Sequence, residues 1–70
     1  MIPPSLDDVA DKWPDFKSFK ERLEQSVGSR NARAMWIKTM RYYRRLGFKD
    51  WQLVQASRAH LEGMLLATLG

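Results

Sequence analysis

Apolar residues recur along this chain at helical spacing, and nowhere do they alternate as a half-buried strand would require. Leu6, Val9, Ala10 and Trp13 stand at i, i+3, i+4 and i+7, the spacing that lines one face of a helix. Ser5 precedes them, with Asp8 three residues later. That is a capping-box arrangement, which satisfies free N–H groups at a helix start. Pro14 ends this first helix, because its ring clashes with a continuing turn, and can open the next, being tolerated at a first helical position. Phe16, Phe19, Leu23 and Val27 then follow in steps of three and four, and Gly28 is a natural left-handed C-terminal residue. Ser29 or Asn31 can cap a third helix that extends to about Leu46 before Gly47, and Asp50 can cap a fourth. The pattern predicts helices over about 5–13, 14–27, 30–46 and 50–68. Two consecutive prolines disfavour helix before them, so residues 1–4 read as an extended lead-in.

The expected fold is therefore all-α: residues 1–70 as one domain, a compact bundle of four short helices. Its expected core is Trp13, Phe16, Phe19, Leu23, Trp36, Met40, Tyr43, Trp51, Val54, Leu61 and Leu65. A chain of 70 residues is near the lower limit for an unaided hydrophobic core, since it buries only roughly 60% of its unfolded surface. Hydrophobic residues at 44% and charged ones at 29% nonetheless place it among globular rather than disordered chains. Three tryptophans and no cysteine mean that aromatic burial, not disulfides or thiolate-bound metal, has to supply the stability. The N-terminal segment has no basic region followed by a long apolar run, and no stretch approaches the ~20 apolar residues of a membrane span. A cytoplasmic protein with no membrane partner is expected.

Charge changes this picture, because it is segregated. Residues 1–28 carry four bases against six acids, whereas residues 29–70 carry eight bases against Asp50 and Glu62 alone. Asymmetry of that kind suggests a partner with a strong field. On a wheel of about 100° per residue, Arg30, Arg33, Lys38, Arg41, Arg44 and Arg45 share an arc of roughly 140° on the third helix. Ala32, Met35, Trp36, Thr39, Met40, Tyr43 and Leu46 take the opposite arc. Ordinary solvated faces mix both signs, and this one has no acid. Like charges one turn apart destabilise each other by a few tenths of a kcal/mol per pair, roughly. The stripe is therefore better tolerated beside an anion: nucleic-acid phosphates, an acidic protein surface, or this chain's own Asp7, Asp11 or Glu24. Ile37 lies inside the basic arc, where it has no core to join, and suggests the apolar centre of a contact patch.

Gly28 and Gly47 each lie between two helices, as the turn glycine of a helix-turn-helix does. The Gly28 register would make the third helix the recognition helix, with Ser29, Arg30, Asn31 and Arg33 near its start. Arg to guanine and Asn to adenine are favoured base contacts. The Gly47 register puts Tyr43 where the motif wants a small residue, and the Gly28 register puts Glu24 there. MRYYRRLGF (40–48) resembles the RYY-x-x-x-G segment that follows the recognition helix in MerR-type regulators. The likeness covers about nine residues, and the wing that follows in that family is replaced here by FKDWQL, the start of another helix. No functional residue is carried over from it.

Little else in the chain points to chemistry. Asp7, Asp8 and Asp11 suit the positive end of a helix dipole and have no His or Cys beside them to complete a metal site. His60 is the only histidine, at the border of the fourth helix's apolar stripe, with no serine or cysteine motif to serve. No glycine-rich phosphate loop is present. An enzyme is not expected, and no cofactor. The tail GMLLATLG is apolar almost all round, which makes Met64, Leu65, Leu66 and Leu69 candidates for self-association as a homodimer or for docking; closure over the first helix would cover them equally. The leading expectation is a small nucleic-acid-binding or regulatory protein. Arg30, Arg33, Lys38, Arg41, Arg44 and Arg45 would contact phosphates around Ile37, with Lys49 and Arg58 as auxiliaries. The rival is an adaptor, small subunit or inhibitor that docks on a larger protein through the basic stripe and the C-terminal leucines.

Overall fold

Local punctuation places every helix of the fold. In the computed structural model, which describes the backbone of residues 4–69 and the side chains of residues 4–67, four α-helices follow one another: α1 (Leu6–Lys12), α2 (Pro14–Val27), α3 (Ser29–Arg45) and α4 (Asp50–Leu69). The described residues contain no strand. Ser5 and Asp8 form the full capping box, each side chain accepting from the other's backbone N–H. Trp13 is extended, at φ −128° and ψ 120°, and is at once the end of α1 and the residue before α2, whose first position is Pro14. Gly28 has the same double role between α2 and α3, at φ 89° and ψ 156°. That backbone region is open essentially to glycine alone. After α3 the chain turns through Leu46–Lys49, with Gly47 at φ 102° and Asp50 at φ 52°; Asp tolerates the left-handed region better than most residues do.

The helices pack in sequence, α1 on α2, α2 on α3 and α3 on α4, with smaller contacts from α1 to α3 and from α2 to α4. The radius of gyration is 11.3 Å, close to the ~11 Å expected of a compact domain of this length. Trp36 is the centre of the core, with no exposed surface. Its ring meets Phe16 edge-on at 6.4 Å and Phe19 at 6.1 Å, arrangements that aromatic quadrupoles favour. Its indole N–H donates to the Pro4 carbonyl at 3.0 Å, tying the lead-in to α3. Leu6, Val9, Leu23, Ala32, Met40, Leu53, Val54, Leu61 and Leu65 complete the cluster. The two buried polar side chains are satisfied within their own helices: Thr39 donates to the Met35 carbonyl and Ser57 to the Leu53 carbonyl.

Two expected core residues lie elsewhere. Trp13 and Trp51 are 37% and 42% exposed and pack against each other with tilted rings, centroids 4.6 Å apart, as an outer layer over Phe16. The physical reason is plain for Trp13. Its extended backbone takes it off the helical face that its spacing from Leu6 implied. Tyr43 is only partly buried, packed against the edge of the core. The Gly28 helix-turn-helix register is not formed, because one residue joins α2 to α3 where that motif uses about 3–4.

Candidate functional site

The basic stripe of α3 exists as an exposed surface, with most but not all of its expected members. Trp36 and Met40 anchor one side of the helix in the core, which turns Arg30, Lys38, Arg41, Arg44 and Arg45 outward. Among the described residues no carboxylate lies within 4.0 Å of any of these five cations. Ile37 is in their midst and 47% exposed. Lys49, in the turn beyond α3, is also exposed.

Arg33, which stays exposed, and Arg58, which is half-buried, are paired with acids instead. Arg33 Nε donates to Asp7 at 3.2 Å, and Asp7 also holds Lys20 Nζ at 2.8 Å. One carboxylate of α1 thus links α2 and α3. The hydrogen bond from Lys20 chiefly, with the charges of Lys20 and Arg33, keeps the Asp7 carboxyl below its ordinary range and outweighs partial desolvation. The same bond raises the Lys20 ammonium. Arg58 Nε is 3.6 Å from Glu62, its guanidinium lies 4.7 Å from the centre of the Phe16 ring, and Glu62 also accepts from Arg22 at 2.6 Å. Both arginines therefore fasten helices together, and they leave the candidate phosphate-binding set. Of the acids proposed to quench the stripe, Asp7 reaches only its edge at Arg33.

A groove of about 410 Å³ adjoins the stripe, between α3 and α4. Met35, Lys38 and Tyr42 line it from α3, and His60, Leu61 and Met64 from α4. Lys38 belongs to both surfaces. Tyr42 is 56% exposed, touching the ring of Tyr43 edge-on at 5.1 Å. His60 is fixed through Nδ1, 3.1 Å from the hydroxyl of Tyr43, which also packs edge-on against Phe48. Sequence reasoning passed over Tyr42 and the groove. The available signal was Tyr42's position on the wheel, between the cationic arc and the apolar one.

The C-terminal candidates separate. Leu65 is buried in the core and is withdrawn from any docking surface, Leu66 is 69% exposed, and Met64 borders the groove. Leu69 lies outside the described side chains. No helix among the described residues is long and apolar enough to cross a membrane. No family model, no curated protein and no solved structure matches this chain.

Proposed function

We propose that this chain is a small non-enzymatic nucleic-acid-binding protein. It contacts phosphates through Arg30, Lys38, Arg41, Arg44 and Arg45, with Lys49 as an auxiliary. One observation carries the reading: five cations cluster on one face of α3, clear of the acids that pair with cations elsewhere in the bundle. Lys20, Arg22, Arg33 and Arg58 are paired with Asp7 or Glu62, whereas the stripe cations share an exposed helix face with no acid on it. A molecule with six acids in its first 28 residues has counter-charges to offer, yet α3 keeps its centre clear of them. Such a face is stabilised by an external polyanion, and phosphate contacts of this kind give affinity and register without sequence readout.

The test is a mobility-shift titration against DNA and RNA over a range of salt. Engagement of five phosphates on duplex DNA gives a log–log salt slope of about −4.5. Absence of retardation of either nucleic acid at low salt would overturn the proposal. Polyglutamate that competed as well as an oligonucleotide of equal charge would assign the stripe to acidic protein surfaces instead.

A further inference from the structure

We propose that the groove between α3 and α4 receives one unpaired nucleobase, stacked on Tyr42, while the strand's phosphates follow the stripe; this rests on the nucleic-acid reading above. Three observations converge. The groove opens directly onto the cations, since Lys38 lines it and Tyr42 follows Lys38 by one helical turn, flanked by Arg41 and by Arg45 three residues on. Among the described residues no carboxylate lines it, so a strand running along Lys38, Arg41 and Arg45 meets no acid of the lining at its mouth. And its walls suit a flat aromatic guest: the thioethers of Met35 and Met64, the side chain of Leu61 and the exposed tyrosine ring. Methionine packs well against aromatic rings.

Tyr42 and Tyr43 divide the labour. Tyr43 is bound to His60 and packed on Phe48, which holds α4 and the turn against α3. Among the described residues, the ring of Tyr42 meets only the edge of Tyr43, and more than half of its surface faces solvent. Aromatic side chains beside a positively charged groove are the usual platform for bases of single strands, because every base has a π-face. A base in a duplex is already stacked and paired and must be extruded before it can enter such a groove. The Tyr42 contribution is therefore confined to unpaired strands. The volume of about 410 Å³ leaves room for a purine or a pyrimidine, so base identity matters little.

Fluorescence anisotropy with three labelled probes tests this: oligothymidylate, an abasic phosphodiester oligomer of the same length and charge, and a short duplex. The wild-type chain should bind oligothymidylate about tenfold more tightly than the abasic strand, the effect of stacking one base on an aromatic ring. Tyr42→Ala should remove that preference and leave binding to the abasic strand and the duplex unchanged, whereas Tyr42→Trp should keep it. An unaltered thermal midpoint for both variants is expected of so exposed a side chain. Equal wild-type affinity for oligothymidylate and the abasic strand, or a preference that survives Tyr42→Ala, overturns the base site and leaves the phosphate-binding stripe standing. Failure to bind all three probes overturns both.

Discussion

At the scale of single residues, Trp36 and Asp7 show how unlike the two kinds of stabilisation in this chain are. Trp36 fills the centre of the bundle and touches rings from α2 while its N–H holds Pro4. Trp36→Ala should lower stability by about 3–5 kcal/mol, which in so small a domain is enough to populate the unfolded chain in water; urea denaturation measures it. Asp7 works at the surface, where an exposed pair contributes at most about 1 kcal/mol. Its effect has a sign in pH. The folded-state pKa lies below the ordinary 3.8, so the stabilisation is fully present above that value and fades as the pH falls through the lower, folded one. Asp7→Asn should therefore lower the thermal midpoint at neutral pH, and the gap to the wild type should close as the solution becomes strongly acidic. A gap independent of pH would mean that Asp7 acts through packing. For Lys20 the direction is opposite: its pKa is raised by the bond to Asp7, so its contribution is present at lower pH for as long as Asp7 stays ionised and is lost as the pH rises through the folded value, above 10.5.

At the scale of helices, the sequence made the order of elements legible because each boundary has a local cause. Ser5 with Asp8, Pro14, Gly28 and Gly47 act through their own backbone and immediate neighbours, and such causes survive in any tertiary context. The tryptophans were harder. Spacing from Leu6 put Trp13 on a buried face, but Pro14 stops the helix first. Trp51 is in the first turn of α4, where the partner that half-covers it is Trp13 from a distant part of the chain. The basic stripe was legible as a periodicity. Its losses were not, because Arg33 is withdrawn by an acid 26 residues earlier in sequence. Arg33 is nonetheless at the margin of the arc, next to Met40 on the wheel, where contact with a neighbouring helix is most easily made. Arg41 and Arg45, on the side of the arc away from Arg33, are different. The double variant Arg41→Glu, Arg45→Glu should leave the unfolding free energy from urea denaturation within about 0.5 kcal/mol of wild type and abolish nucleic-acid binding at moderate salt. Loss of folding would show that these two side chains are tied into the bundle.

At the scale of the whole molecule, charge and fold are arranged together. One acid of α1 and one of α4 gather the paired cations: Asp7 holds Lys20 and Arg33 across helix interfaces, and Glu62 holds Arg22 of α2 and Arg58 of its own helix. The remaining positive charge of α3 is left on one side. Salt consequently has two separable effects: it screens the few internal pairs slightly, and it weakens any association with a polyanion steeply. A variant series in which stability and binding lose the same fraction with added salt would contradict this separation.

The joint at Gly28 has a consequence beyond its local geometry. One residue connects two long helices, and only its unusual dihedral angles turn the chain back on itself. A methyl group there would meet nothing, so the penalty of Gly28→Ala is conformational, about 1–3 kcal/mol. Alanine is also the best helix former, and the cheapest escape from the strain is to straighten. The two helices would then run on as one rod, and the halves of the bundle, pulled apart, would find their missing faces on a second molecule. Light scattering of Gly28→Ala should accordingly reveal an intertwined dimer in which each monomer completes the other.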